Sequence, residues 1–83
     1  MIYTMYVLID DIGRLYKGVI NDFERRFSEH KRGKTHTTRK MKNIRLAYKE
    51  EFSSFEKARE REIYFKTVAG RRFLKTKLNY LDP

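Results

Sequence analysis

The chain has 83 residues, with 20 Lys or Arg against 11 Asp or Glu and a formal charge of +9, a size that fits one domain near the lower limit for a stable single core. It contains no Cys and only two His, which excludes a disulfide framework or thiolate zinc site, disfavours zinc generally and fits a cytoplasmic protein. No apolar run approaches the roughly 20 residues that span a bilayer, whereas six Phe and six Tyr supply enough buried area for a small core.

Ile2 to Ile9 is a nearly continuous apolar run rich in β-formers and reads as a buried strand. It lacks the leading positive charge and small-residue cleavage site of a signal peptide. Asp10-Asp11-Ile12-Gly13 is turn chemistry, and Arg14 to Ile20 reads as a second strand, in a hairpin with the first. Asn21, with Glu24 three residues on, is the expected N-cap of a helix from about Asp22 to Lys31, with Phe23 and Phe27 as its core stripe.

Gly33 is expected to end that helix. A basic, Thr-rich loop follows, from Lys34 to Asn43. Ile44, Leu46 and Tyr48 alternate with Arg45, Ala47 and Lys49, the pattern of a third strand with one wet face. Ser53 with Glu56 reads as a capping box for a helix from about Ser54 to Thr67, which Gly70 is expected to break, leaving Arg71 to Leu78 as a short basic helix. The order β-β-α-β-α-α predicts one α/β (α+β) domain over residues 1–83, with a three-stranded, largely antiparallel sheet covered by helices.

The positive charge is clustered. Lys31 to Lys49 holds eight Lys or Arg and no acid, and Lys66 to Lys77 holds five more with no acid. Such blocks suit phosphate backbones, because each neutralised phosphate releases condensed counterions. A solvated surface or contact with anionic lipid would carry the same charge. The residues expected to touch nucleic acid are Lys17, Arg25, Lys34, Arg39, Lys40, Lys42, Lys66, Arg71 and Arg72, and Thr35, Thr37 and Thr38 could add hydrogen bonds in the loop.

Within this basic frame a few residues stand out. At 100° per residue Phe55, Ala58, Glu62 and Phe65 share a helix face, so Glu62 is a carboxylate inside an apolar stripe, while Glu56 and Glu60 lie on the wet side. A buried carboxylate demands a cationic partner or a metal; a Glu62–Lys66 pair one turn apart is the plain alternative. Arg26 and His30 are also one turn apart. An Arg fork matches phosphate oxygens, and an imidazole can move a proton, although an ordinary charged helix face reads the same way. Tyr6 and Tyr16 lie on the paired strands, where tyrosines commonly serve as core, and Gly18 would let a neighbour approach the sheet closely.

Taken together, Tyr6-Val-Leu-Ile, then Gly13-Arg-Leu-Tyr16-Lys-Gly18-Val-Ile-Asn21-Asp-Phe-Glu-Arg-Arg26-Phe-Ser-Glu-His30, and later Ala58-Arg-Glu-Arg-Glu62-Ile-Tyr-Phe-Lys66, resemble the GIY-YIG endonuclease domain. The nearest resemblance is to small stand-alone members related to the nuclease domain at the N-terminus of the excinuclease. The resemblance covers nearly the whole chain. It implies a DNA endonuclease, with a setting in repair or recombination, that leaves a 5′-phosphate and a 3′-hydroxyl. Tyr16 would accept a proton from the attacking water or orient it, and Tyr6 would support it. Arg26 would hold the scissile phosphate, and His30 would assist there or in proton transfer. Glu62 would bind a single Mg²⁺ or Mn²⁺.

Both motifs depart from the family pattern. Thr4-Met5-Tyr6 lacks the Gly and Ile of the first motif, and Lys17 replaces an aliphatic residue in the second. Strand parity turns Lys17 away from Tyr16. The degenerate motifs keep a catalytically weak nucleic-acid-binding module as the alternative, and charge alone leaves RNA beside DNA as a substrate. With no appended base-reading module, such a domain would recognise DNA shape, or a damaged or branched form, or take its specificity from a partner protein.

Overall fold

The computed structural model describes residues 1–33 and 38–81. Three strands, β1 (Tyr3–Ile9), β2 (Leu15–Ile20) and β3 (Arg45–Phe52), form one sheet in the order β2-β1-β3. Both pairings are antiparallel. The helices are α1 (Phe23–Lys31), α2 (Phe55–Tyr64) and α3 (Val68–Leu81). The predicted element order and α+β class therefore hold.

The sheet is covered on both faces. β1, nearly all apolar, lies in its centre and is buried from Thr4 to Leu8, residues that point alternately to the two sides. On one face Tyr6, Leu8 and Ile44 pack with Tyr16, Ile20, Met41 and Leu46 beneath Phe23 and Phe27 of α1. On the other face Met5, Val7 and Ala47 pack with Phe65 and with Leu74 of α3, flanked by Tyr48, Tyr64 and Phe73. Each fully buried side chain of this kind stabilises the fold by about 1.5–3 kcal/mol.

β3 departs from simple alternation. Val7 pairs with Tyr48 but Leu8 pairs with Leu46, so the register shifts at Ala47. Such a bulge exchanges the faces of the residues on its two sides. Ile44 and Leu46 therefore join the α1 side, while Ala47 and Tyr48 join the α2/α3 side, and the expected single wet face of this strand does not exist.

Helix boundaries also differ from those expected, each for a capping reason. Asp22, not Asn21, caps α1, its carboxylate accepting from the Arg25 N–H at 3.3 Å. This start places Phe23 edge-on to Tyr6, with ring centroids 5.6 Å apart. Ser54, not Ser53, caps α2, accepting from the Lys57 N–H at 3.2 Å. Gly33 (φ 72°) closes α1 with its N–H on the His30 carbonyl at 3.1 Å, as expected of a glycine after a helix.

The predicted break at Gly70 is replaced by a break over residues 65–67. Thr67 shapes it. Its hydroxyl donates to the Tyr64 carbonyl at 2.6 Å, and the same oxygen accepts from the Gly70 N–H at 3.2 Å. α2 therefore ends at Tyr64, with Phe65 as its C-cap, rather than at the expected Thr67, and Thr67 caps α3. Gly70 lies inside α3, where its missing side chain admits the backbone of α2. A Cβ there would lie 2.6 Å from Phe65 Cα and overlap the Tyr64 carbonyl oxygen.

Candidate active site

Tyr6 stands on the central strand, 2% exposed, directly across from Gly18. Its ring lies over that glycine: a Cβ at position 18 would come within 2.8 Å of the Tyr6 hydroxyl oxygen. The phenol reaches His30 of α1, with its oxygen 3.1 Å from Nε2. His30 is itself fully buried, and its Nδ1 is 2.6 Å from Thr38 Oγ1. Tyr16, paired with Leu8 on the same sheet face, brings its ring centroid 4.8 Å from the imidazole and 6.2 Å from the Tyr6 ring. Tyr16 is half-buried, whereas Tyr6 and His30 are enclosed.

Arg26 lies one turn before His30. Its side chain is 34% exposed and pairs with Glu29 at 3.3 Å, while Arg25 pairs with both Asp22 and Glu29. The structure thus brings four of the five expected catalytic residues, Tyr6, Tyr16, Arg26 and His30, onto one face of the sheet.

Burial sets the protonation of this cluster. Enclosure, reinforced by Tyr16 and only partly opposed by Arg26, pushes the Tyr6 phenol up to about 12, so it is neutral. Burial and then the Arg26 charge pull His30 below the ordinary imidazole value, against a smaller opposing pull from Glu29. His30 is therefore an uncharged imidazole at neutral pH, and its full burial leaves it no surface to offer a phosphate in this conformation.

Glu62 is on α2, whose C-terminal Phe65 packs with Met5 and Val7 on the other face of the sheet. It is 8% exposed, beside the buried Ala58 and Phe65. Its Oε1 accepts from Arg59 at 2.7 Å and its Oε2 from Lys66 at 3.3 Å. The expected carboxylate in an apolar stripe is present, and so is the expected Lys66 pairing, with Arg59 as a second cation. Glu60 is exposed, as its helical position implies, while Phe55 is half exposed at the rim of the stripe, edge-on to Tyr3. Among the described residues no group of three His, Asp or Glu side chains could enclose a metal ion. A single carboxylate with spare lone pairs suits only an ion completed by waters and substrate oxygens, the usual habit of Mg²⁺.

Lys17 faces away from Tyr16, as strand parity requires. Its Nζ donates to the Phe65 carbonyl at the end of α2, 2.9 Å away. Burial, then Arg71 and Lys66, depress its pKa, so these three cations share one neighbourhood. Arg39, Lys40, Lys42 and Arg72 are exposed. The loop that carries the first three is tied to the β1–β2 turn: Arg14 donates to the Lys40 carbonyl at 2.9 Å, and the Lys42 carbonyl accepts from the Asp11 N–H at 3.0 Å. Lys34, Thr35 and Thr37 lie outside the described residues. Thr38 is a correction: it is fully buried against His30 and presents nothing to a nucleic-acid backbone. Its only mark in the sequence is a hydroxyl shortly before the chain returns to the sheet.

The domain is thus a small α+β sandwich with two tyrosines, a histidine and an arginine gathered on one face. The family model of the GIY-YIG catalytic domain matches residues 2–78, and the chain belongs to that nuclease family. A UPF0213 protein of Bacillus licheniformis is 36% identical over 81 residues, covering 96% of this chain and 79% of the relative. The solution NMR structure of a UPF0213 protein from Bacillus halodurans is similar with a TM-score of 0.56 and 31% identity, over 99% of this chain and 86% of that one. No helix among the described residues is long and apolar enough to cross a membrane.

Proposed function

We propose that this domain is a divalent-metal-dependent endonuclease that hydrolyses DNA phosphodiester bonds, in a repair or recombination setting. The observation that carries the reading is the joint placement of Tyr6, Tyr16, Arg26 and His30 on one sheet face, with Tyr16 the accessible phenol and Tyr6 and His30 enclosed behind it. Tyr16 orients the attacking water or, as the phenolate, accepts its proton. Tyr6, hydrogen-bonded to His30, holds the second phenol position beside it. Arg26 exchanges Glu29 for the scissile phosphate and stabilises the charge that builds there. Glu62 would hold a Mg²⁺ or Mn²⁺ ion, whose role is to polarise the phosphate. Arg39, Lys40, Lys42, Arg71 and Arg72 would track the DNA backbone.

Plasmid nicking in Mg²⁺ or Mn²⁺ tests this reading, comparing wild type with Tyr16→Phe, Arg26→Ala and Glu62→Gln. Each substitution is expected to reduce cleavage by at least about a hundredfold, the scale of general-base or charge-stabilising contributions. No cleavage by wild type on duplex, branched or single-stranded DNA, or variants as active as wild type, would sink it.

One observation favours a second reading, a nucleic-acid-binding module of weak activity. Glu62 is already held by Arg59 and Lys66. Under this reading binding is strongly salt-dependent and unaffected by Glu62→Gln.

A further inference from the structure

His30 occupies a closed environment with two oxygen partners and no water-exposed surface. Its Nε2 meets the Tyr6 hydroxyl at 3.1 Å and its Nδ1 meets Thr38 Oγ1 at 2.6 Å. A neutral imidazole carries one donor and one acceptor nitrogen, so one of the two hydroxyls must give a proton and the other must receive one. A phenol is the stronger acid and a threonine hydroxyl the better acceptor. The favoured pairing has Tyr6 donating to Nε2 and Nδ1–H donating to Thr38.

We propose that Thr38 is a positioning residue of this site: its hydroxyl fixes His30 as the Nδ1–H tautomer, so that Nε2 remains the acceptor for the Tyr6 proton. The consequence concerns Tyr6. With its own proton committed to His30, the Tyr6 oxygen presents its lone pairs to the neighbouring Tyr16 and Arg26. The second phenol then acts as an acceptor beside the reacting one. Without Thr38 the imidazole can adopt the other tautomer, donate to Tyr6 and turn that phenol into a donor. The charged and titratable groups facing His30 are Tyr6, Tyr16, Arg26 and Glu29, and among the described residues none of them supplies Nδ1 with an alternative acceptor.

The second half of the α1–β3 connection thereby gains a function. Thr38 begins a turn in which its carbonyl accepts from the Met41 N–H at 2.9 Å, and Met41 packs into the same core as Tyr6. The chain segment that carries the exposed Arg39 and Lys40 is thus anchored at the imidazole. A phosphate pulling on those cations would act on a segment whose buried end holds His30.

The test measures His30 directly, by long-range ¹⁵N–¹H correlation on ¹⁵N-histidine-labelled protein, with His36→Gln used to assign the signals. Wild type is expected to show a protonated-type Nδ1 and a pyridine-type Nε2 across neutral pH. A pyridine-type Nδ1 would overturn the proposal before any variant is made. Thr38→Val keeps the shape and removes the hydroxyl; Thr38→Ser keeps the hydroxyl. Thr38→Val should shift the tautomer balance towards Nε2–H and lower cleavage about tenfold, the cost of losing an outer partner that orients a working group, while Thr38→Ser should restore both. Unchanged ¹⁵N signals in Thr38→Val would also overturn it. The cleavage arm rests on the nuclease reading. The tautomer arm does not, so a wild-type protein that cuts nothing would fail the former and leave the latter to decide on Thr38.

Discussion

Gly18 determines where the enclosed phenol can lie. Directly opposite Tyr6, it leaves the space that the ring occupies, and Gly18→Ala would drive a methyl into the hydroxyl. We expect a stability loss of about 1–3 kcal/mol, seen as a lower Tm, and at least a tenfold loss of cleavage as Tyr6 leaves His30. A variant with wild-type Tm and activity would show that the phenol is not confined. Glu29 acts in the opposite sense: it holds both Arg25 and Arg26, and the Arg26 hydrogen bond keeps its carboxyl below the usual range despite partial burial. Glu29→Gln should tighten DNA binding several-fold at low salt, an advantage that shrinks as salt is raised; titration of labelled DNA at two ionic strengths checks this. At this scale much of the site was legible. Tyr6, Tyr16, Arg26 and His30 could be read because their order and spacing form a recognisable set. Thr38 could not, since its partner is defined by where a loop re-enters the core, which no periodicity reports.

Helices and strands were legible in kind and less so at their ends. Adjacent residues competed for each cap, Asn21 with Asp22 and Ser53 with Ser54, and the choice fell to the one that sends Phe23 or Phe55 onto its aromatic neighbour. Gly70 misled because an isolated glycine in a helical pattern signals a break in isolation, whereas here it is where two helices meet at backbone distance. Gly70→Ala should therefore be costlier than Gly18→Ala, because it meets main chain rather than a movable side-chain tip. A loss of about 3 kcal/mol or more is expected, measured by urea denaturation. Equal stability of the two variants would contradict the packing of α2 on α3. Glu50, on β3, ties the sheet to α2 through Arg61, with contacts of 2.8 and 3.2 Å, and also accepts from Tyr48. Arg61 in turn lies over the rings of Tyr64, Phe65 and Phe73, so Arg61→Ala removes packing as well as charge.

As a whole, the molecule is a thin sandwich whose two cores share β1. Its response to pH follows from the groups inside. His30 titrates below its unfolded value, so the folded state resists taking up the proton that the unfolded chain accepts near 6.5. Glu50 is likewise held low, by Arg61 and Tyr48 against the opposing effect of burial. For a group with a depressed folded pKa, the linked stability is present above the unfolded pKa and lost as pH falls through the folded one. Stability should thus fall as pH drops below about 6.5, and fall further in the carboxylate range near 4.5 and below. Urea denaturation between pH 4 and 8 measures it; a flat profile from pH 7 to 5 would show that His30 takes its proton without a penalty. Charge was the property most plainly visible in the sequence, yet its distribution was not. Arg25 and Lys66 face carboxylates and Lys17 faces a helix end, so the net +9 overstates what is on offer to phosphate.

Tyr6 and His30 are among the largest fully buried side chains of the domain. An arginine at the surface can be replaced at little cost to the fold. The imidazole and the enclosed phenol cannot be removed without opening a hole in the centre of a small domain that has little core to spare. The proposed chemistry and the scaffold therefore share the same atoms. Truncating either ring would register first as lost stability, and its effect on cleavage can be read only in variants that keep the ring's volume, such as Tyr6→Phe.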